Sequence, residues 1–86
     1  MNIFFSELIG TAILVAGVLL LHNPVYIAIV FLIAILISNI SNGHINPVVT
    51  LVKHIQGAIS SDESIQYISG QVTGALLAYY LVKNKL

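Results

Sequence analysis

The sequence has no cysteine and very few charged residues. Without cysteine, the chain has no disulfide bond, no thiolate metal site and no cysteine nucleophile. Charged residues make up 7% of the 86 residues and hydrophobic residues 58%, far from the composition of a soluble globular protein. The net charge is zero, so the chain lacks the basic patch that would bind nucleic acid or anionic lipid. This composition indicates a small integral membrane domain in contact with lipid.

Three stretches of the chain are predicted to cross the bilayer. A bilayer core of about 30 Å needs about 20 helical residues per crossing, so the length allows three crossings and one shorter piece. The first stretch has no basic residues ahead of it, which favours a retained span over a signal peptide. Asn23-Pro24, a cap followed by proline, starts the second, and Ser60 and Glu63 have capping-box spacing ahead of the third. The predicted spans cover about residues 3–21, 24–40 and 64–82.

A polar break at residues 41–46, SNGHIN, interrupts the apolar sequence after the second span. Lipid cannot satisfy the backbone groups that such a break leaves unpaired, so the break needs a functional reason. Asn46-Pro47 repeats the cap-then-proline signal and predicts a helix over 47–56 that ends at Gly57. A helix of this length covers about 15 Å, half of a bilayer. The pattern predicts an all-α membrane fold with three transmembrane helices and one re-entrant half-helix.

The polar break carries groups that suit neutral solutes. Unwound carbonyls from Asn42 to Ile45 and the amide of Asn46 face one way, and the positive end of the half-helix points at the bilayer centre. Such a site would accept neutral hydrogen-bonding solutes and oppose cations. The alternative is a kinked ordinary helix with Asn46 as a structural cap, although a kink requires fewer polar residues. No nucleophile, acid–base pair or metal-ligand set converges, so we predict neither an enzyme nor a cofactor.

Residues 41–51, SNGHINPVVTL, resemble the first half of the aquaporin and glycerol-facilitator family, whose signature is an Asn-Pro-Ala box after a Gly-Ala-His-type loop. Residues 7–11, ELIGT, look like that family's first-helix pattern, and Gln71 with Gly74-Ala75 looks like its third-helix pattern. The family has two such halves in one chain, inverted relative to each other. The resemblance therefore implies one domain over residues 1–86 with half of the aquaporin fold. A fragment of a longer channel would have the same sequence.

The resemblance also implies which residues line a pore. Val48 replaces the alanine of the box, and Asn42 stands where the loop usually has glycine. Tyr26, twenty positions before Asn46, matches a constriction aromatic on the second helix. Val49 stands at the place comparable to the constriction arginine that follows the second box of the family, and this chain has no arginine. The predicted pore-lining residues are Asn42, Gly43, His44, Ile45, Asn46, Pro47 and Val48, with the constriction at Tyr26 and Val49.

Several polar residues of the predicted helices have two interpretations. For Glu7, the resemblance implies that the carboxylate supports the polar loop by accepting hydrogen bonds from its backbone, and the rival is a proton-carrying site. Gln71 is predicted to support the loop rather than bind solute. His44 lines the pore through its carbonyl or ring, or only packs. Thr50 is interpreted as a packing residue of the half-helix.

A single half leaves its polar loop facing lipid, which costs several kcal/mol, so a partner must supply the other wall. The economical partner is a second copy inserted upside down, as an antiparallel homodimer that a higher homo-oligomer could contain. Lys53 and the terminal amine on one face nearly balance Lys83 and Lys85 on the other, so the positive-inside signal is weak and favours insertion in both orientations. This predicts a passive channel for water or a small neutral solute in a plasma or inner membrane.

Two other functions remain open from the sequence. The first is a small membrane interaction subunit that assembles with a different half-channel. The second is a proton-coupled, dual-topology transporter that uses Glu7. Small residues four positions apart, Ser6 with Gly10 and Gly70 with Gly74, allow close helix packing under any of these functions.

Overall fold

The computed structural model describes residues 2–38 and 42–85. These residues form four α-helices and no strand. The helices are α1 (Ile3–Leu20), α2 (Pro24–Ile37), α3 (Pro47–Ile55) and α4 (Ser61–Lys85). The predicted end of the second span at residues 39 and 40 and the first residue of the predicted loop, Ser41, lie outside the described residues.

The first three helices begin after an asparagine cap. The cap oxygen accepts a hydrogen bond from a backbone N–H in the first turn, at 2.9 Å for Asn2, 2.8 Å for Asn23 and 2.8 Å for Asn46. In α2 and α3 a proline follows the cap, where its missing N–H costs no helical hydrogen bond. Both cap-then-proline signals in the sequence therefore start a helix.

Helix α4 begins earlier and ends later than the predicted 64–82. The backbone N–H of Ser60 donates to Oε1 of Glu63 at 2.9 Å, and the N–H of Glu63 donates to Oγ of Ser60 at 3.1 Å. This is a capping box, and its cap residue lies immediately before the first helical turn. The helix consequently starts at Ser61, and it continues to Lys85 because no glycine or proline interrupts its end.

The helices differ in how much of a bilayer they could cross. Helix α1 has 18 residues and, within the described part of the chain, is the one helix both long and apolar enough to span a membrane. Helix α2 is apolar but has 14 residues. Helix α3 has nine residues, so its length is only about 14 Å.

Glycines hold α1 close to its neighbours. A Cβ atom added at Gly70 of α4 would overlap the carbonyl oxygen of Phe4, and one added at Gly74 would overlap that of Leu8. On α1 itself, a Cβ at Gly10 would lie 2.7 Å from Cβ of Ser38. The small residues seen in the sequence thus pack helices of one chain together.

This chain buries polar side chains and exposes apolar ones, the reverse of the distribution in a soluble protein. The largest fully buried side chains among the described residues are polar: Glu7, Thr50, Ser6 and Ser38. Large apolar side chains lie on the outside along α2, α3 and α4. Since an exposed apolar surface of this extent needs lipid or a partner chain to cover it, the outer face is suited to a bilayer. The buried polar groups lie around the loop between α2 and α3.

Candidate functional site

The loop before α3 has an unusual backbone. Three of its residues lie in the left-handed region, with φ of 66° at Asn42, 60° at Gly43 and 42° at Ile45. Asparagine and glycine adopt this conformation readily, but a β-branched isoleucine there carries a cost of about 1–3 kcal/mol. The surrounding structure must offset that cost, and the contacts of Ile45 show how it does so.

Glu7 of α1 holds the loop through its carboxylate. Its Oε1 accepts a hydrogen bond from the backbone N–H of Ile45 at 2.7 Å and another from Nε2 of Gln71 at 2.9 Å. Glu7 is fully buried and Ile45 is 4% exposed, so these bonds are shielded from competition. Of the two residues predicted to support the loop, Glu7 therefore bonds to the loop backbone, and Gln71 bonds to Glu7. The arrangement is the one that such support requires.

Thr50 of α3 joins the same buried network, which the sequence analysis missed. Its Oγ1 accepts a hydrogen bond from Nε2 of Gln71 at 3.0 Å and lies 3.0 Å from Nδ1 of His44. Its hydroxyl also lies 3.4 Å from the carbonyl oxygen of Asn46, one turn earlier. Thr50 is fully buried, so packing describes only part of its role. The available signal was its position: it is a hydroxyl residue four positions after the cap of an otherwise apolar helical turn.

The ring of His44 is held inside the chain. It stacks on the ring of Tyr67 of α4, with centroids 3.8 Å apart and an interplanar angle of 9°. His44 is 6% exposed and Tyr67 3%. His44 was predicted to line the pore through its ring or its backbone carbonyl. Because the ring packs on Tyr67, the backbone carbonyl is the group that a pore could use. The side chain of Ile45 is also buried, so its backbone is the part of this residue that a pore could use.

Tyr67 was not among the predicted site residues, and the burial pattern of α4 in the structure is what identifies it. Buried positions recur on this helix every three or four residues, which marks one face packed against the rest of the chain. The buried residues of that face are Tyr67, Gly70, Gln71, Gly74 and Ala78. Tyr67 lies one turn before Gln71, so both side chains reach the loop.

A polar cleft lies beside the loop. It has a volume of about 240 Å³ and is lined by Asn42, Gly43, His44, Val49, Lys53, Ala58 and Ile59. Three consecutive loop residues, Asn42, Gly43 and His44, thus line the cleft. The loop can therefore present its backbone groups to a solute or a partner there.

The remaining predicted pore-lining residues lie at the start of α3. Asn46, Pro47 and Val48 are exposed, and Val48 is 65% exposed. Since Oδ1 of Asn46 is used by the cap on Val48, its Nδ2 group is the donor left for a solute. A partial positive charge of about half an elementary charge also lies at this end of a helix. Donor and acceptors are thus adjacent along the chain.

The two predicted constriction residues are not brought together. Val49 lines the cleft, whereas Tyr26 does not. Tyr26 lies in the first turn of α2 and is 58% exposed. Within one chain, the structure therefore assembles the loop, Glu7, Gln71 and Val49, and leaves Tyr26 outside.

Comparison with known proteins gives a family. Residues 23–85 match the family model described as "Major intrinsic protein". Over 94 aligned positions, the chain is 35% identical to "Glycerol uptake facilitator protein-like 6" of Lactiplantibacillus plantarum, covering 98% of this chain. The chain spans 44% of the length of that relative. No solved structure is significantly similar.

These matches confirm the family and the fold class predicted from the sequence. The helical architecture is that of an all-α membrane protein with three transmembrane helices and one re-entrant half-helix, half of the aquaporin fold. The chain belongs to the major intrinsic protein family.

Proposed function

We propose that this chain forms a passive membrane channel for water or small neutral solutes. The observation that carries the proposal is the loop of residues 42–46, whose carbonyl acceptors and amide donor are held in one geometry by Glu7. The relative's name refers to glycerol uptake, and that protein is more than twice as long. Glycerol is therefore one solute to test, beside water and urea.

Conduction through this site needs no covalent step. A neutral solute exchanges hydrogen bonds with water for bonds to the carbonyl oxygens of residues 42–45 and to Nδ2 of Asn46. The positive end of α3 disfavours cations at the same point. Because Glu7 and Gln71 fix the loop in advance, the solute does not have to order it.

We propose further that the pore is completed by a second, inverted copy. Exposed apolar side chains cover α3, with Leu51 54%, Val52 49% and Ile55 74% exposed, so this short helix needs a neighbour. The exposed Asn46 would otherwise face lipid, which cannot satisfy its amide. A two-fold axis in the membrane plane would place two Asn46 side chains at the pore centre and a Tyr26 towards each mouth. The complex would lie in a plasma or inner membrane.

The conduction proposal is tested with the purified chain in liposomes. Stopped-flow light scattering after an osmotic shock should show faster volume change for water, glycerol or urea than in empty liposomes. Liposomes that contain the variant Asn46→Asp serve as a protein-containing control. If none of the three permeabilities rises above that of empty liposomes, the channel proposal is wrong.

The inverted pair makes a separate prediction about orientation. Because the chain has no cysteine, a single Asn84→Cys change gives one label site near the exposed end of α4. A membrane-impermeant maleimide should label about half of the molecules in intact cells and all of them after permeabilisation, since the two orientations are equally populated. Labelling of all or none in intact cells would show one fixed orientation and favour assembly with a different half-channel.

A further inference from the structure

Lys53 places a positive charge on the polar cleft. It lies in the last turn of α3, and its side chain lines the cleft together with Asn42, Gly43 and His44. It is the basic residue among those that line the cleft. Within the described part of the chain, Lys53 has no ion pair with a carboxylate. Its ammonium is therefore not held in an ion pair where the cleft opens, and its charge acts there together with the opposite charge of the buried Glu7, which also reaches His44.

The described lysine at the other end of the chain is placed differently. Nζ of Lys83 lies 5.9 Å from the ring centroid of Tyr79 and 5.8 Å from that of Tyr80. Its ammonium thus interacts with two aromatic faces at the end of α4 rather than with the cleft. The two lysines offer the same charge in two different surroundings, which makes Lys83 a matched control.

A positive charge at the cleft would serve to keep cations out. Backbone carbonyl oxygens that line a pore attract cations as well as neutral donors, since they can replace the hydration shell of an ion. The partial charge at the start of α3 opposes cations but falls off within the first turn. A full charge beside low-dielectric walls repels cations more strongly. The chain contains no arginine that could supply it.

We infer that the ammonium group of Lys53 is a specificity-determining group that excludes inorganic cations from the polar cleft of this chain. The inference rests on the proposed channel function and names the charge that makes the channel selective for neutral solutes. In an inverted pair, each copy would contribute its own Lys53 on its own side of the pore. A cation would then meet a positive charge from either direction.

The test compares Lys53→Met with Lys83→Met in liposomes, with K⁺ flux and glycerol swelling measured on the same preparations. Lys53→Met should raise the ratio of K⁺ permeability to glycerol permeability by about tenfold or more, in the range that a local charge alters ion entry. Lys83→Met should change neither. An unchanged ratio in Lys53→Met overturns the inference while glycerol swelling still supports the channel. If the unaltered protein conducts nothing, the channel proposal itself fails.

A cysteine variant makes the test independent of any folding effect. Lys53→Cys introduces the one thiol of the chain, and it can be modified after reconstitution. A positively charged methanethiosulfonate reagent should restore cation exclusion, and a negatively charged reagent should increase K⁺ flux further. Equal K⁺ flux after both reagents would show that the charge at this position does not control selectivity, and it would overturn the inference.

Discussion

The Glu7→Leu variant is expected to lose most of its stability and all of its solute conduction. The change leaves the N–H of Ile45 and one of the two Nε2 hydrogens of Gln71 buried without an acceptor, while the other still bonds to Thr50. Each unsatisfied buried donor costs about 1–3 kcal/mol, so the free energy of unfolding should fall by about 2–6 kcal/mol. The strained φ of Ile45 then has no hydrogen bond to hold it, and the loop carbonyls lose their common geometry. Unfolding by SDS titration in detergent and swelling of liposomes measure the two effects.

Glu7→Gln is the matched variant because it keeps the acceptor oxygen and the size of the side chain. It should lower stability by less, about 1–2 kcal/mol, since a neutral acceptor forms a weaker hydrogen bond than a carboxylate. Neutral-solute conduction should persist in part and should not depend on a pH gradient. Glu63→Gln, which alters the exposed capping box of α4, controls for removal of a carboxylate elsewhere. If Glu7→Gln folds normally but abolishes a transport that the pH gradient drives, Glu7 carries protons and the passive channel is wrong.

Asn46→Asp is expected to reduce neutral-solute conduction strongly without unfolding α3. Aspartate caps a helix as well as asparagine does, and its charge is favourable by about 0.3–1 kcal/mol at a helix start. The cap uses Oδ1 of Asn46, so the change keeps the cap, removes the Nδ2 donor and puts a negative oxygen at the start of α3. Glycerol permeability should fall by about tenfold, the effect of about 1.4 kcal/mol on a barrier, and K⁺ permeability should rise. Swelling and K⁺ flux on one preparation measure both changes.

The chain provides its own control for this substitution. Asn23 caps α2 in the same way, with Oδ1 accepting from the N–H of Val25 at 2.8 Å and a proline at the next position. Asn23→Asp should therefore leave conduction and selectivity unchanged. If Asn46→Asp also leaves selectivity unchanged, Asn46 is not the donor that solutes meet. If Asn23→Asp loses conduction as much as Asn46→Asp does, the loss is caused by adding a carboxylate to the chain and does not depend on the position of that carboxylate.

The features predicted well from the sequence are local ones. Asn23-Pro24 and Asn46-Pro47 mark helix starts because a cap and its N–H partner lie two or three residues apart, within the sequence signal itself. The capping box of Ser60 and Glu63 was visible for the same reason, although the start of α4 was placed three residues too late. The low charge and absence of cysteine set the class of protein before any contact was known.

The features that the sequence left open depend on residues far apart in the chain. Glu7 bonds to the loop 38 positions away and to Gln71 at a separation of 64. The family resemblance suggested this support, but neither spacing nor hydropathy predicts which backbone N–H the carboxylate reaches. The site roles of Thr50 and Tyr67 were missed because they depend on contacts outside their own helices, with His44 for both and with Gln71 for Thr50.

Composition, helix caps and the polar break thus follow from the sequence alone, since they depend on local backbone chemistry and on what lipid can solvate. The assembly of the polar network followed from tertiary packing. Gly70 and Gly74 let α4 approach the backbone of α1, and that approach brings Gln71 to Glu7 beside the loop. A close helix contact is a property of two surfaces together, so it cannot be read from either helix by itself.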